Sequence, residues 1–344
     1  MVIIMNTILV TGGCGFIFSN FIRYMLNKYK DYKIINFDNL TYCGRLENTE
    51  NFKDNKNYKF IKGDICDVDL VNQIVKRVDV IVHGAAESFV DRSISNAENF
   101  IQTNVYGTYV LLEAAKKNNI KKFVFISTDE VYGSIEEGSF KEDSLLNPRN
   151  PYSASKTAAD LLAKSYFSTY NLPVVITRSS NNFGPYQYPE KLIPLFITSL
   201  LEDKKVPLYG DGLNVRDWLY VLDNCEAIDF VMHNGVDGES YNIGGGNEIT
   251  NLDITKFILK VLGKNETNIE FVKDRLGHDK RYSLDFSKIR KLGWKPKYNF
   301  NDVMNSTIRW YENNEKWWKE IKTGDYLNYY NKHYHETHKM SNNI

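Results

Sequence analysis

A glycine-rich turn near the start of the chain constrains the fold more than any other feature. An apolar, β-branched stretch runs into Gly12, Gly13 and Gly15, and a helical pattern begins at Phe16. Glycines let a backbone approach a pyrophosphate, and a helix N-terminus offers unpaired N–H groups and a positive dipole. Asp38 ends the next apolar stretch, where a carboxylate binds ribose hydroxyls and repels a 2′-phosphate. The pattern predicts a βαβ unit that binds NAD rather than NADP.

Short β-branched runs alternate with amphipathic stretches through the first half of the chain. This alternation predicts right-handed crossover units and a parallel sheet covered on both faces. We therefore predict an α/β fold: a Rossmann-type doubly wound parallel sheet with a smaller, interleaved C-terminal substrate-binding lobe. The predicted strands are 7–11, 33–37, 58–62, 78–83, 122–127 and 173–178, and the predicted helices are 16–29, 68–76, 96–117 and 153–170.

The rhythm of strands and helices changes after residue 183. Turns that contain Gly-Pro and Tyr-Pro precede loops rich in aromatic and charged residues. At 344 residues the chain is long enough for one large α/β domain with an appended lobe. We predict an NAD-binding domain over 1–182 with a returning segment near 213–240, a nucleotide-sugar-binding lobe over 183–322 and a polar tail over 323–344.

Composition excludes several classes of partner. The formal net charge is zero, which argues against nucleic acid. The chain lacks the run of roughly 18 apolar residues that a membrane span needs, and its apolar opening lacks the basic residues of a signal peptide. The four cysteines, including Cys14 in the glycine turn, form no C-x-x-C pair, so we expect reduced thiols. The sequence predicts a cytoplasmic protein that binds neither nucleic acid nor membrane.

A Tyr-x-x-x-Lys motif and two adjacent acidic residues carry the chemistry. Tyr152 and Lys156 share a helical face, where the ammonium favours a phenolate that can take a hydroxyl proton. Asp129 and Glu130 follow the predicted strand 122–127, at the strand end where parallel sheets place their sites. Hydride transfer alone does not need this pair. The sequence therefore predicts oxidation of a sugar alcohol followed by elimination of water.

The adjacency of Asp129 and Glu130 predicts a division of labour. Elimination needs one ionised carboxyl and one protonated carboxyl. Two neighbouring carboxyl groups in a dry cleft repel, so their pKa values separate and the pair titrates as a unit. The alternative is a solvated pair on a surface turn.

Three further positions have weaker signals. Asp64 suits an adenine contact and an ordinary strand end about equally, and His83 is expected to be a core histidine with satisfied hydrogen bonds. Phe18 departs from the G-x-x-G-x-x-G spacing, in which a small last residue permits close packing of helix on sheet. Its ring predicts a shifted helix or a local pocket, without loss of the phosphate contacts.

These motifs together resemble the extended short-chain dehydrogenase/reductase family, and within it the dTDP-glucose 4,6-dehydratases. The similarity covers residues 6–300, nearly the whole chain. The matching segments are Thr11-Gly12-Gly13-x-Gly15-Phe16-Ile17, Asp64-Ile65, Ala85-Ala86-Glu87-Ser88, Ser127-Thr128-Asp129-Glu130-Val131-Tyr132-Gly133, Tyr152-x-x-x-Lys156, Asn181-Asn182-Phe183-Gly184-Pro185, Pro189-Glu190-Lys191-Leu192-Ile193-Pro194, Arg216-Asp217-Trp218 and Asp274-Arg275-x-Gly277-His278-Asp279.

The resemblance implies a role for each catalytic candidate. Tyr152, tuned by Lys156, would remove the C4 hydroxyl proton, and Thr128 would hydrogen-bond the C4 oxygen. Glu130 would remove the C5 proton, and Asp129 would protonate the departing C6 hydroxyl. NAD would take the C4 hydride and return it to C6, so that dTDP-glucose or UDP-glucose becomes a 4-keto-6-deoxy sugar nucleotide plus water.

The resemblance also implies two sets of binding residues and no metal. The candidate cofactor-binding residues are Gly12, Gly15, Phe16, Ile17, Asp38, Asn39, Thr41, Asp64, Ile65, Ala85, Ala86, Ser88, Thr103, Tyr152, Lys156 and Asn181. The candidate substrate-binding residues are Ser88, Thr128, Asn182, Lys191, Leu192, Pro207, Tyr209, Arg216, Asn251, Arg275 and His278.

Some of these assignments have competing interpretations. Arg216 and Arg275 suit a diphosphate by geometry, but surface ion pairs with the adjacent Asp217 and Asp274 are the alternative. Phe89 stands where relatives tend to carry His, so we expect an altered substrate wall.

The sequence leaves rival functions open. A sugar-nucleotide 4-epimerase needs Tyr152 and Lys156 but no acid–base pair, a nucleotide-sugar decarboxylase would resemble Thr-Ser-Glu at 128–130, and a non-catalytic binding protein needs none of these groups. Thymidine and uridine nucleotides differ by a methyl group and a ribose hydroxyl. Contact with one methyl contributes only about 1–3 kcal/mol, too little to read from residue types.

Assembly and the end of the chain complete the expectations. Helices 96–117 and 153–170 are expected to pair across a two-fold axis, giving a homodimer through a four-helix bundle, as in relatives. The product would feed deoxysugar synthesis, for example of rhamnose. His333, His335 and His338 have loose metal-like spacing, but a disordered polar tail is the expectation.

Overall fold

A computed structural model describes residues 6–331. Its strands are β1 Thr7–Thr11, β2 Lys33–Asp38, β3 Tyr58–Lys62, β4 Val80–His83, β5 Lys122–Thr128, β6 Val174–Ser179, β7 Asn181–Phe183, β8 Val206–Tyr209, β9 Val215–Tyr220, β10 Ser240–Ile243, β11 Glu248–Thr250 and β12 Ile269–Val272. Its α-helices are α1 Phe16–Lys28, α2 Val68–Val75, α3 Val90–Ser95, α4 Glu98–Phe100, α5 Thr108–Lys117, α6 Pro151–Tyr170, α7 Leu192–Leu201, α8 Val221–Asn234, α9 Asn251–Val261, α10 Ser287–Leu292, α11 Phe300–Asn313, α12 Glu315–Ile321 and α13 Asp325–Tyr330. A π-helical segment, Ile101–Gly107, joins α4 to α5, and 3₁₀ helices form at Leu46–Phe52, Asp129–Tyr132 and Glu266–Asn268.

Within residues 6–331, seven parallel strands form the main sheet in the order β10-β6-β5-β4-β1-β2-β3. All six strands predicted from the sequence are present, and the Rossmann-type α/β fold is confirmed. The seventh strand, β10, was not predicted. It returns late in the chain and pairs in parallel with β6 at the sheet edge.

Alternate residues of the sheet strands point into two apolar layers, because side chains along a strand alternate between faces. Ile8 and Val10 belong to the core cluster that includes α1 and α8, whereas Leu9 belongs to the cluster that includes α2, α5 and α6. β4, β5 and β6 are buried along their whole lengths. This burial on both faces explains their nearly continuous apolar sequences.

The second half of the chain builds two smaller sheets, β11-β9-β7 and β12-β8, and then returns to the main sheet. Helix α8 packs against α1 and leads into β10. The lobe is therefore interleaved with the main sheet. The division into domains at residues 182 and 322 stays a prediction.

Phe18 does not open a pocket in the helix–sheet interface. Its ring is 4% exposed, packs edge-on against Phe21, and lies directly over Gly84, where a Cβ would overlap it. The motif expects a small residue at position 18. The large ring of Phe18 fits there because Gly84, directly after β4, has no side chain. Helix α1 keeps the predicted start at Phe16.

The predicted polar tail begins, in the described part, with α13, whose Tyr326 is buried and donates a hydrogen bond to the carbonyl of Pro189 (3.0 Å). The three tail histidines at 333, 335 and 338 lie outside the described residues, as does the apolar opening of the chain. From residue 6 to residue 331, no helix has the length and apolar character to cross a membrane.

Candidate active site

The glycine turn forms a cradle at the carboxyl end of the main sheet. Gly12 has a φ of +74°, and a Cβ there would lie 2.8 Å from the Cα of Ala85. Gly15 immediately precedes α1, so the first N–H groups of that helix face the same space. A backbone without side chains at this point suits a pyrophosphate.

Asp38 ends β2 beside the cradle. One carboxylate oxygen accepts the N–H of Cys14 (2.9 Å) and the other accepts that of Leu40 (2.8 Å). Burial raises the pKa of this carboxyl. A carboxylate oxygen has two lone pairs, so both oxygens can still accept ribose hydroxyls. The cradle and this carboxylate together fit NAD.

Two adjoining cavities lie at this end of the sheet, and the first is lined by both the predicted cofactor-binding residues and the catalytic candidates. Every candidate cofactor-binding residue named from the sequence lines it, and so do Thr128, Asp129 and Glu130. The roles of these residues stay predictions, but the sequence placed them at one edge of the sheet and the structure brings them together there.

Thr128 and Gly133 shape the turn that carries the acidic pair. Thr128 ends β5, and its hydroxyl accepts the N–H of Glu130 (3.3 Å) to cap the 3₁₀ helix Asp129–Tyr132. Gly133 ends that helix with a φ of +81°, against the carbonyl of Asn147, where a Cβ would overlap. The turn thus presents both acidic residues at the carboxyl end of the sheet.

Asp129 is buried and its two oxygens differ. Oδ1 accepts the hydroxyl of Thr128 (3.1 Å), and Oδ2 has no hydrogen-bond partner among residues 6–331. Burial, and after it the charge of Glu130, raises the pKa of Asp129 well above its ordinary value. Both effects favour the protonated form of this carboxyl. The alternative of a solvated surface pair is excluded for Asp129 by its 3% exposure.

Glu130 stands where two cavities meet. It lines both, and its Oε2 lies 3.5 Å from the side-chain nitrogen of Asn150. Asn150 also caps α6 by accepting the N–H of Ser153 (2.8 Å). The acidic turn and the catalytic helix are thus fixed against each other through one amide side chain.

Tyr152 and Lys156 lie on the first turns of α6, as predicted. Burial, followed by the charge of Glu130, raises the pKa of Tyr152, while a hydrogen bond with Thr128 lowers it. Lys156 donates its Nζ to the carbonyl of Ile126 (2.6 Å), and burial lowers its pKa to about 8. The hydrogen bond with Thr128, rather than the charge of Lys156, is what lowers the pKa of Tyr152 here, and the tuning of Tyr152 by Lys156 stays a prediction.

The second cavity adjoins the first and is lined by the substrate candidates of the lobe. Asn182 and Lys191 line both cavities, and Ser88 and Thr128 line the first. The remaining candidates, which line the second cavity alone, are Leu192, Pro207, Tyr209, Arg216, Asn251, Arg275 and His278.

Arg216 is buried and Arg275 is half-buried, and neither guanidinium pairs with the aspartate next to it in the sequence. Arg216 is 4% exposed and donates to the carbonyls of Asp279 (2.9 Å) and Val215 (2.8 Å). Arg275 lies 3.7 Å from a carboxylate oxygen of Asp91. The alternative pairings fail, because Asp217 accepts the N–H groups of residues 245 and 247 and Asp274 pairs with the imidazole at 278.

Phe89 lies in the wall of both cavities. Its ring packs edge-on against Tyr329, and the Nζ of Lys191 lies 5.1 Å from the ring centre. The same Nζ donates to the carbonyl of Ser88 (2.8 Å). An aromatic ring at this position therefore holds the lysine at the junction of the cavities.

Two residues near the site have structural roles, as the sequence indicated. His83 is buried and hydrogen-bonded at both ring nitrogens, by Thr11 (2.8 Å) and Thr108 (2.9 Å), and burial lowers its pKa to about 3. Cys14 is fully buried, and burial raises its pKa to about 12. Neither group is exposed to the cavity.

Sequence reasoning missed several lining residues. Glu190 lies in the 189–194 motif, but no role was assigned to it. The available signal was a carboxylate next to Lys191, a predicted substrate-binding residue. Others that no motif marked include Tyr42, Gln187, Asn224 and Tyr282.

Comparison with known proteins gives the family. The family model described as GDP-mannose 4,6 dehydratase matches residues 9–307. The low-salt glycan biosynthesis protein Agl12 of Haloferax volcanii is 52% identical over 88% of this chain and 98% of its own length. The dTDP-glucose 4,6-dehydratase of Streptomyces niveus is 50% identical over 92% of this chain and 96% of its own length.

Solved structures agree with the sequence relatives. The crystal structure of DesIV, the dTDP-glucose 4,6-dehydratase of Streptomyces venezuelae with NAD and TYD bound, has a TM-score of 0.90 and 48% identity, covering 92% of this chain and 100% of DesIV. The rival class is more distant: the UDP-glucose 4-epimerase of Thermus thermophilus has a TM-score of 0.83 and 29% identity, covering 90% of this chain and 99% of its own. The family expected from the motifs is confirmed, and the chain belongs to the GDP-mannose 4,6 dehydratase family of extended short-chain dehydrogenases/reductases.

Proposed function

We propose that the chain is an NAD-dependent lyase that converts dTDP-glucose to the 4-keto-6-deoxy sugar nucleotide and water. The observation that carries the proposal is the placement of Asp129 and Glu130 in the same cavity as Tyr152 and Lys156. An epimerase or a simple dehydrogenase has no use for that acid–base pair. The dehydratases among the relatives, at about half identity, support the same reaction.

The residues of α6 and β5 carry out the first step. Tyr152 takes the C4 hydroxyl proton, while the hydroxyl of Thr128 hydrogen-bonds the C4 oxygen. NAD, when bound, supplies the acceptor of the C4 hydride, returns that hydride to C6, and adds a positive ring that favours the phenolate. Lys156 contributes a second positive charge to the same cavity.

The acidic pair carries out the elimination. A 4-keto group acidifies the C5 hydrogen, and Glu130 takes that proton. Asp129, kept protonated by burial, gives its proton to the C6 hydroxyl, which departs as water. The proton on Glu130 exchanges with solvent, and after the hydride reaches C6, Glu130 gives a proton to C5. Tyr152 releases to solvent the proton that it took from the C4 hydroxyl, and Asp129 regains one from solvent, so that each turnover consumes only the sugar nucleotide.

The second cavity would hold the nucleotide diphosphate. Arg216 is buried there, Arg275 lines the same cavity, and a guanidinium matches the planar geometry of phosphate oxygens. The thymidine nucleotide is proposed over the uridine nucleotide because relatives of 46% to 50% identity are named for dTDP-glucose. The product would enter deoxysugar synthesis, of which rhamnose is one example.

The proposal includes a homodimeric assembly and a cytoplasmic location. The helical segment 98–117 and α6 pack together and carry exposed apolar side chains, which suits a homodimer through a four-helix bundle. These side chains are Ile101, Tyr106, Tyr109, Leu161 and Tyr170. All four cysteines are unpaired, which suits the reducing cytoplasm.

Product analysis tests the function directly. The purified enzyme is incubated with dTDP-glucose or UDP-glucose, and the sugar nucleotide is identified by NMR and mass spectrometry. The proposal expects a 4-keto-6-deoxy sugar that has lost one water, formed with higher kcat/KM from dTDP-glucose. A C4 epimer would establish the rival epimerase, and unchanged substrate would remove the catalytic assignment.

A further inference from the structure

A cluster of buried polar side chains lies beside the active site and lines neither cavity. Its centre is Arg178 on β6, which is 2% exposed and pairs with the fully buried Asp160. The pair is bidentate, with Nε–Oδ2 at 2.9 Å and Nη2–Oδ1 at 2.8 Å. The third nitrogen of Arg178, Nη1, donates to the hydroxyl of Tyr132 (2.7 Å) and to the carbonyl of Glu142 (3.1 Å).

The partners of Arg178 belong to the two elements that carry the chemistry. Asp160 lies one helical turn beyond Lys156 on α6, the helix of the catalytic tyrosine. Tyr132 is the last residue of the 3₁₀ helix that begins with Asp129. A single guanidinium therefore joins the oxidation element to the elimination element.

Tyr132 is itself held from several sides. Its hydroxyl donates to the side-chain oxygen of Asn242 on β10 (2.8 Å), while its ring stacks on Phe140 at 5.0 Å between centres. Asn242 in turn donates to the carbonyls of Phe140 (2.9 Å) and Asp285 (3.1 Å). The network extends from the catalytic helix across the sheet edge, and Tyr132 is its link to the acidic turn.

The energetics of such a pair point to positioning rather than to stability. A buried ion pair loses much of its Coulomb energy to desolvation, and apolar replacements of similar volume are often as stable. A satisfied polar network, however, fixes geometry, because each donor and acceptor accepts few arrangements. Asp160 also opposes the lowering of the pKa of Lys156 that burial causes.

We propose that Arg178 and Tyr132 are positioning residues that fix the acidic turn relative to α6. Elimination can then follow oxidation while the sugar stays in one position. This inference rests on the proposed function. Tyr152 contacts the C4 hydroxyl, whereas C5 must lie within reach of Glu130 and the C6 hydroxyl within reach of Asp129. Loosening Tyr132 therefore slows the elimination and leaves the C4 oxidation in place.

The test uses Tyr132→Phe, which keeps the stacked ring and removes only the hydroxyl. Oxidation is followed by the absorbance of the reduced nicotinamide in a single turnover, and elimination by solvent deuterium incorporation at C5 together with loss of water, by mass spectrometry. Misplacement of reacting groups by about 1 Å costs on the order of 100-fold, so we expect elimination to slow by roughly 10-fold to 100-fold relative to oxidation. Arg178→Lys keeps the positive charge but loses the bidentate guanidinium geometry. We expect it to lower the rate of elimination relative to oxidation as well.

The matched control is Tyr241→Phe. Tyr241 is also a buried tyrosine of the β10 region, and its hydroxyl accepts the N–H of Val236 (2.9 Å), away from the acidic turn. This variant is expected to keep the wild-type ratio of elimination to oxidation while losing a comparable amount of thermal stability.

The outcomes separate the inference from the proposed function. If the wild-type enzyme forms the 4-keto-6-deoxy product but Tyr132→Phe keeps the wild-type ratio of the two steps, the positioning role is wrong. The same holds if both steps fall together in proportion to the melting temperature, or if Tyr241→Phe shifts the ratio equally. If the wild-type enzyme oxidises C4 without losing water, the proposed function itself is wrong.

Discussion

At the residue scale, Asp129 combines a hydrogen-bonded oxygen with a buried oxygen that has no partner among residues 6–331. Burial and the adjacent Glu130 both raise its pKa. Both effects favour the protonated carboxyl, which is the form that can give a proton to a departing hydroxyl. As the pH rises through the raised pKa of Asp129, the acid is lost and elimination slows.

Asp129→Asn keeps the shape of this side chain and removes the transferable proton. General acids contribute about 10²–10⁴-fold, so we expect elimination to slow by that factor while C4 oxidation persists. Rapid-quench mass spectrometry over a pH series measures both steps, and the alkaline decline of the wild-type elimination rate should be absent in the variant. Asp143→Asn, an exposed change of the same chemistry, is the control. Normal water loss by Asp129→Asn would show that another group is the acid.

The sequence predicted where the functional side chains lie better than it predicted their environment. The positions of Tyr152, Lys156 and the acidic pair follow from helical spacing and from the end of a parallel strand. The hydrogen bond from Lys156 to the carbonyl of Ile126 does not follow, because it depends on how closely α6 approaches β5. The partnerless oxygen of Asp129 likewise depends on three-dimensional packing.

At the scale of elements, α1 and α8 are joined at their C-terminal ends by a charged cluster. Asp229 is 1% exposed and accepts from Lys28 (2.6 Å) and from Tyr24 (3.0 Å). The Nδ1 of His233 lies 3.0 Å from the same carboxylate, and its Nε2 lies 2.8 Å from the hydroxyl of Tyr32. This cluster fastens the returning helix to the first helix of the fold.

The stability of this junction should depend on pH through His233. The hydrogen bond to Asp229, ahead of the opposing effect of burial, raises the pKa of His233. The folded state therefore binds this proton more tightly than the unfolded state, whose pKa is about 6.5. The contribution is fully present below that value and disappears as the pH rises through the folded pKa.

His233→Gln tests this linkage. We expect the variant to lose more melting temperature, relative to wild type, near pH 6 than near pH 9, since only the protonated imidazole gains from Asp229. Differential scanning calorimetry of both proteins across the pH series measures the difference. An equal loss at every pH would mean that the imidazole acts only through packing.

Prediction of elements succeeded where the sequence pattern is local. Glycine and apolar signals gave the six strands and the four predicted helices to within a few residues at their ends. The predicted helix 96–117 is divided by a π-helical segment, α3 was not predicted, and α6 begins two residues early, at the proline that follows its cap Asn150. The strand β10 is four residues long and is stabilised by pairing with β6, a contact between distant parts of the chain that no local signal reveals.

At the scale of the whole molecule, the nucleotide cavity is assembled from separate loops. Arg216 lies on β9, whereas Arg275 follows β12, some sixty residues later. The resemblance to a family placed both arginines in one site. Composition and spacing alone could not do so, because each arginine is next to an aspartate in the sequence and an ion pair with it was the alternative. The partners of the guanidinium groups distinguish the two interpretations, because Arg216 donates to the carbonyl of Asp279 and Arg275 pairs with Asp91 rather than with the adjacent aspartates.

The proposed dimer makes a whole-molecule prediction. Leu161 on α6 is 53% exposed, among the apolar side chains expected at the bundle interface. Leu161→Glu should convert the homodimer to a monomer, because a charge without a partner is costly in an apolar interface. Leu145→Glu, at an 88% exposed position outside these helices, should leave the assembly unchanged. Analytical ultracentrifugation decides, and a dimeric Leu161→Glu protein would place the interface elsewhere.

The acidic pair must act on the same hexose that Tyr152 oxidises, and the variant Glu130→Gln separates the two steps. The amide keeps the shape of the side chain but cannot take the C5 proton. With dTDP-glucose in deuterated water, we expect the variant still to reduce its NAD, while deuterium incorporation at C5 and loss of water fall by about 10²-fold or more. If deuterium incorporation and water loss proceed at wild-type rates in this variant, Glu130 is not the C5 base and the proposed elimination is wrong.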